Sequence, residues 1–278
     1  MRFKIVSDSG SNLREIDSAV AYATVPLTIL TDEREFVDDE TLDVQEMIGH
    51  LKQYKGKSGT ACPSVADWMT AFGDAEGVFC VTITSGLSGS CNAARLAKED
   101  YEAMYPERKV CIIDSLSAGA EMNLMIEKLA VLIEQGESFE AICEQIAAYQ
   151  QQTGLMFSLE SLRNLANNGR VNPMVAKIAG TLGICVVGKA SDEGTLEQMA
   201  KCRGERKALQ TLYKYMKELG YKGRRVFIDQ CNNVEAAEQL KALVLQEYED
   251  ADITIGRTYG LCSFYAEEGG LMVGFEKE

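Results

Sequence analysis

The stretch from Val78 to Ala97, VFCVTITSGLSGSCNAARLA, constrains this chain more than any other. It opens with Val78-Phe79-Cys80-Val81-Thr82-Ile83, a short β-branched run without polar alternation. That is the pattern of a strand buried on both faces of a parallel sheet. Thr84-Ser85-Gly86-Leu87-Ser88-Gly89-Ser90 follows as a loop of small residues, and a helix is expected from about Cys91. Strand, small polar loop and helix together aim backbone N–H groups and hydroxyls at one point, a geometry that holds anions. Tight α/β turns also select glycine and serine for conformational reasons alone. Both readings stand at this point.

The rest of the N-terminal part repeats the alternation. Phe3 to Val6 reads as a first strand, ending in Ser7-Asp8-Ser9-Gly10-Ser11-Asn12, with a helix expected after it. Val25 to Leu30 reads as a second strand. Asp38-Asp39-Glu40-Thr41 reads as the start of a helix running over Leu42 to Tyr54, its acids complementing the dipole. Ser64 is placed to cap a helix over Val65 to Phe72, and Val110 to Asp114 is another buried strand followed by Ser115-Leu116-Ser117-Ala118-Gly119. A helix then extends through Ile133, and Ser138 caps one over Phe139 to Gln151. Alternating strands and helices imply a mostly parallel sheet, whose ligands bind beyond the carboxyl ends of the strands. The hydroxyl-rich loops Ser7 to Ser11, Thr84 to Ser90 and Ser115 to Ser117 all fall at such ends, which favours the anion or polar-head-group reading.

From about residue 154 the texture changes. Asn168-Gly169 stops a helix in the left-handed manner, and a small-residue helix is expected over Met174 to Gly180. Strands are expected over Ile184 to Val187, Thr195 to Lys201, Arg225 to Ile228, Ile253 to Ile255 and Leu271 to Phe275. Helices are expected over Glu205 to Leu219 and Val234 to Glu247. The fold class is therefore α/β, with two α/β domains, 1–153 and 154–278, and a ligand site in the cleft between them.

Composition closes several routes. A net charge of −14 argues against a nucleic-acid partner, whose phosphates need clustered Lys and Arg. It also means an anionic ligand must be held by a local positive site against the overall field. The nine cysteines are scattered and never spaced CxxC, so neither a zinc site nor a disulfide framework is indicated. That usage fits a reduced, cytoplasmic protein. No apolar run is long enough for a membrane span, and His50, the one histidine, reads as a solvated surface residue. Neither GxxxxGK[ST] nor a GxGxxG after a strand is present, and there is no GxSxG elbow, so no cofactor is expected.

The ordered set of loops resembles the DegV family of bacterial fatty-acid-binding proteins over essentially the whole chain. SDSGSN after the first strand is similar to the family's DS(T/S) opening. Thr60-Ala61-Cys62-Pro63-Ser64 is similar to its TSQPS motif, and Thr84 to Ser90 to its SSxLSGT motif. Asp114-Ser115, Leu162 to Val171 and Arg203-Gly204 resemble its DS, L…GRI and RG elements. The resemblance implies a two-domain α/β protein holding one long-chain fatty acid, its acyl chain in an apolar tunnel. It also implies a separate ATP-dependent kinase that phosphorylates the carboxyl group for phospholipid synthesis. Carried over by position, Thr60 and Ser85 donate to the carboxylate, Thr84 and the Ser88/Gly89 turn shape the loop, and Arg170 brings a charge near the head group. Arg203 faces the kinase.

The chain also departs from the pattern. Ala61 lacks the hydroxyl of its motif position, and Gln230-Cys231-Asn232-Asn233 replaces the family's HxDN. Cys262-Ser263-Phe264-Tyr265-Ala266 replaces HxGPG, which puts Cys262 at the carboxylate-contacting histidine and leaves the local backbone undetermined. Two alternatives follow from these departures. One is a diverged member that binds another amphiphilic carboxylate and has no kinase partner. The other is a small-molecule enzyme using Cys262 as nucleophile, for which a histidine activator is lacking.

Overall fold

The computed structural model describes residues 2–172, 174 and 183–278. The first part of the chain lays down β1 (Phe3–Asp8), β2 (Ala21–Val25), β3 (Thr28–Thr31), β4 (Glu35–Val37), α1 (Val44–Gln53), β5 (Ser58–Ala61) and α2 (Val65–Phe72). It continues with β6 (Gly77–Thr82), α3 (Ser90–Met104), β7 (Lys109–Asp114), α4 (Ala120–Glu134) and α5 (Phe139–Gln150). The remainder adds β8 (Thr153–Leu159), α6 (Arg163–Asn167), β9 (Ile184–Ala190), β10 (Leu196–Arg203), α7 (Glu205–Glu218) and β11 (Val226–Gln230). Finally come α8 (Val234–Leu245), β12 (Ile253–Arg257), α9 (Gly260–Ala266) and β13 (Leu271–Glu276). The helix expected over Met174 to Gly180 lies, apart from Met174, outside the described residues.

The expected parallel sheet forms from β1, β2, β6 and β7 in the order β2-β1-β6-β7. Every residue of β6 is buried, because helices cover both faces. On one face Trp68 and Phe72 of α2 and Ala94, Ala97 and Tyr101 of α3 pack against Val6, Val78 and Cys80. On the other, Ile126 and Leu129 of α4 meet Ile5, Phe79 and Val81. Helix α4 is buried continuously from Ala120 to Ile126, because its opposite side rests on a second sheet. Gly274 of β13 touches it there: a Cβ at that position would lie 2.4 Å from the Ala120 backbone.

That second sheet has the order β10-β9-β8-β13-β11-β12. Only its β11–β12 pair is parallel; the other pairs are antiparallel. Mixed α/β architecture with a parallel first sheet is thus as expected. Strand β8, which the sequence pattern does not predict, lies inside the second sheet between β9 and β13.

Several local expectations are corrected. No helix follows β1; a 3-10 turn over Ser9–Ser11 ends at Asn12 in the left-handed region, φ 58°. The single strand expected over Val25 to Leu30 is two strands of different sheets, split at Pro26, which has no N–H for a ladder. β3 instead pairs antiparallel with β4 and β5 in a small third sheet. Helix α1 begins at Val44, capped by Asp43, whose carboxylate accepts from the Gln45 and Glu46 N–H groups. Asp38 takes no part in that cap. Elsewhere the caps follow the sequence: Ser64 and Asp67 form a capping box on α2, and the Ser138 hydroxyl accepts from Ala141 N–H.

Candidate functional site

Because β1, β6 and β7 are neighbours and parallel, their carboxyl-end loops meet at one edge. Most of the hydroxyls gathered there bond to one another or to the backbone. Ser90 Oγ donates to the buried Asp8 carboxylate at 2.6 Å, which also accepts from Ile83 N–H (2.9 Å) and Gly10 N–H (3.1 Å). Ser9 Oγ accepts from Leu27 N–H, Ser7 and Ser11 pair at 3.0 Å, and Ser115 Oγ donates to the Ser117 carbonyl. The serine-rich edge is therefore mainly a self-satisfied frame around Asp8. A hydroxyl proton already given to a carboxylate or carbonyl, as in Ser90 and Ser115, is not available to an anion.

The open space lies beside that frame. A cavity of about 680 Å³ of empty volume, part of it open to solvent, is lined mainly by apolar side chains from the strand-end loops of the first sheet and from strands and helices of the rest. Ile83 and Leu87 come from the loop after β6, Leu155 and Phe157 from β8, Leu196 from β10, and Met272 from β13. Among the described residues its polar lining is confined to Thr60, Ser88, Arg170, Cys262 and Tyr265. An apolar lining with a few orienting groups is the pattern of a small-molecule site.

Four of these polar groups fall in two sets that border one cavity. Thr60 Oγ1 and Tyr265 Oη are 2.8 Å apart. Arg170 donates from Nε to the Leu87 carbonyl, next to Ser88, at 3.2 Å, and from Nη1 to the Asn168 carbonyl. Asn168 in turn abuts Gly59, the residue before Thr60, with its Oδ1 3.2 Å from where a Cβ would stand. Arg170 has no carboxylate partner among the described residues and is only half-buried. Gly169, in the left-handed region at φ 73°, turns the chain after α6 so that Arg170 N–H bonds back to Leu165. The expected left-handed stop is what delivers the guanidinium to the cavity.

Cys262 lines the cavity on α9, its thiol donating to the Gly10 carbonyl at 3.5 Å. Burial pushes this thiol well above its ordinary pKa, and the carboxyls of Asp229, Asp38 and Asp8 push in the same direction. It is a neutral lining group. Asp38 and Asp229 belong to a buried polar cluster behind it. Asp38 accepts from Gly260 and Leu261 N–H, both at 2.8 Å, and pairs with Arg14. Asn12 bridges α9 to β11: its Oδ1 accepts from Tyr259 N–H at 3.1 Å, while its Nδ2 donates to Asp229 at 2.8 Å. Gly260 is required at the head of α9, since a Cβ there would lie 2.7 Å from Asp38.

The sequence-derived site residues are thus divided by the fold. Thr60, Arg170 and Cys262 line the cavity. Thr84 is buried but works as a clasp: its Oγ1 donates to the Gly194 carbonyl at 2.8 Å, fastening the turn between β9 and β10 to the loop after β6. Gly194, at φ 74°, packs so tightly there that a Cβ would come within 2.1 Å of Thr84 Oγ1. Ala61 and Ser85 are exposed and do not line the cavity; the Ser85 N–H caps Asp114 at 3.0 Å. Arg203 is exposed at the end of β10, also away from the lining. Gln230 and Asn233 form the cap of α8 instead of a ligand site, with Asn233 N–H donating to Gln230 Oε1 at 2.6 Å. His50 is held between Phe36 and Tyr54, ring centroids 5.4 and 5.6 Å away. Sequence reasoning missed Tyr265 as a polar lining residue; the only signal was an aromatic hydroxyl where the family pattern has a proline.

Comparison with known proteins identifies the family and the fold. Residues 2–278 match the family model described as "Uncharacterised protein, DegV family". A DegV domain-containing protein of Streptococcus pneumoniae is 44% identical over 279 aligned residues, covering 99% of each chain. The solved structure of the Streptococcus pneumoniae Fatty Acid Kinase (Fak) B3 protein loaded with linoleic acid superposes with a TM-score of 0.98 at 44% identity, covering 100% of both chains. A DegV family protein from Eubacterium eligens loaded with heptadecanoic acid superposes with a TM-score of 0.97 at 42% identity, covering 99% of this chain and 100% of that one. With matching motifs in order, a whole-chain family match and a superposable fold, this chain belongs to the DegV family.

Proposed function

We propose that the protein binds one long-chain fatty acid, with the hydrocarbon chain in the cavity and the carboxylate at the Thr60, Ser88 and Arg170 cluster. The observation that carries this reading is an apolar cavity whose few polar side chains include an arginine without a carboxylate partner among the described residues. Burying a dozen methylenes contributes about 10 kcal/mol before the entropy costs of binding, ample for a carrier. The relatives loaded with linoleic and heptadecanoic acid support the same class of ligand.

The protein acts as a carrier, not as a catalyst, in this reading: it presents the carboxylate to a separate fatty acid kinase in the cytoplasm, and the product feeds phospholipid synthesis. The name of the Fak B3 relative supports the kinase partner. Arg203, exposed at the end of β10, belongs to the face that meets it. Residues 1–153 and 154–278 are the two domains, and the cavity is the cleft between them. Cysteine-dependent catalysis is disfavoured by the neutral, buried thiol of Cys262. Among the described residues no helix is long and apolar enough to cross a membrane.

Protein purified from a bacterial host should therefore carry stoichiometric fatty acid, detected by native mass spectrometry and by organic extraction. An empty protein that also fails to bind added linoleic acid would refute the reading. Within the loop after β6, Ser88 is the donor to the carboxylate, since Ser85 is exposed. Loss of a hydrogen bond to a charged group costs about 1.5–3 kcal/mol, so Ser88→Ala should weaken linoleic acid binding about tenfold or more. Ser85→Ala should leave it unchanged in the same titration. The reverse ranking would move the carboxylate to Ser85.

A further inference from the structure

We propose that Tyr265 is a head-group donor that makes this site specific for an ionised carboxylate. This rests on the fatty-acid reading above and adds a residue that the family resemblance does not supply, since Tyr265 falls where the pattern has proline. Thr60 and Tyr265 both line the cavity, and their Oγ1 and Oη bond only to each other among the described residues. Each hydroxyl carries one proton. When the pair is mutually bonded, one proton is used and the other has no acceptor, at the edge of an apolar cavity. A carboxylate resolves this, because its two oxygens accept from both hydroxyls at once. A neutral head group with a single acceptor oxygen gains less from the pair, since bonds to a charged acceptor are about twice as strong.

The surroundings fix the phenol in place. Tyr265 is partly buried and packs against the cluster of Leu162 and Leu165, against that of Ile29 and Phe36, and edge-on to Phe264 at 4.8 Å. Cys262 stands three residues earlier on the same short helix, so the two side chains share a face. The Cys262 end is unsuited to an anion: its thiol is committed to the Gly10 carbonyl, and Asp8, Asp38 and Asp229 lie behind it. The Tyr265 end adjoins Thr60 and, through the Gly59–Asn168 contact, the Arg170 guanidinium. The carboxylate therefore sits at the level of Tyr265.

The test is a titration of delipidated wild type, Tyr265→Phe and Thr60→Val with linoleic acid and with linoleyl alcohol at neutral pH. Tyr265→Phe keeps the ring and its packing, and thermal unfolding of each variant checks that the fold is intact. The expected result is a loss of about tenfold or more for the acid in Tyr265→Phe, and a loss below about threefold for the alcohol. Thr60→Val should show the same preference for weakening the acid. Unchanged acid binding by a folded Tyr265→Phe overturns the assignment while leaving the fatty-acid reading intact. Equal weakening of acid and alcohol also overturns it, since that is the mark of a purely structural role. Failure of the wild type to bind either probe refutes the fatty-acid reading, and the assignment with it.

Discussion

Replacing Asp38 with alanine should destabilise the protein by roughly 3–5 kcal/mol, the expected cost of breaking a buried ion pair by removing one partner. The Asp38 side chain is fully buried and pairs with Arg14, whose side chain is only 16% exposed. It also accepts the first two N–H groups of α9, those of Gly260 and Leu261. Without it, the Arg14 charge and two helix-end donors are left in a space from which water is largely excluded. Arg14 retains its stacking over Tyr259 at 4.5 Å and its bond to the Asp38 backbone carbonyl, which offset only part of the loss. Glu40→Gln, on an exposed residue of the same acidic run, should change stability by less than about 0.5 kcal/mol. Urea unfolding of the two variants decides the matter. A loss below about 1 kcal/mol for Asp38→Ala would show that the cluster contributes little. Because α9 carries Cys262 and Tyr265, the same variant should also bind linoleic acid less tightly.

Stability should also fall as pH rises from about 4 to about 7. Asp8 and Asp229 are fully buried, and burial pushes each carboxyl up to about 7. For Asp8 this acts against hydrogen bonds from Ser90, Ile83 and Gly10, and for Asp229 against one from Asn12. Both folded-state pKa values lie above the unfolded value near 4. The folded protein therefore holds protons that the unfolded chain has released. The resulting stability is fully present below about pH 4 and is lost as pH climbs through about 7. Glu121, fully buried and likewise raised by desolvation, adds to the same slope. The lowered carboxyls of Asp74, Glu140 and Glu247 are exposed, and their opposing contributions are screened by solvent. The combined effect should amount to several kcal/mol, since each tenfold difference in proton affinity between folded and unfolded chains is worth about 1.4 kcal/mol. Asp229→Asn can still accept from Asn12 and removes one of the two acids, so it should flatten the profile and stabilise the protein above pH 7. Guanidinium unfolding midpoints at pH 5 and pH 7.5 give the comparison. A wild-type midpoint that rises with pH across this range would contradict the assignment.

The sequence alone determined three strands of the parallel sheet, β1, β6 and β7, and the helices that cover it, because these elements announce themselves locally. β6 and β7 are short apolar runs bounded by turns, and a strand covered on both faces must read that way. Ser64, Ser138 and Gly169 sit at helix ends where cap chemistry acts within three or four residues. The family resemblance further carried Thr60, Arg170 and Cys262 to the cavity. The small sheet of β3, β4 and β5 was not legible. Its strands are short and half exposed, and its core, Ile29 and Phe36, is closed by side chains from α1 and α9, Met47 and Phe264 among them. The role of Asp38 was equally hidden: an acid that reads as part of a helix start instead caps a helix 222 residues further along the chain. Likewise, only tertiary structure could turn Ser88 inward and Ser85 outward, since neighbouring serines of one loop carry the same chemistry. The pairing of Thr60 with Tyr265 spans 205 residues. Periodicity and caps report interactions within a few residues, whereas a binding site is assembled from side chains whose proximity depends on how the sheets and helices pack.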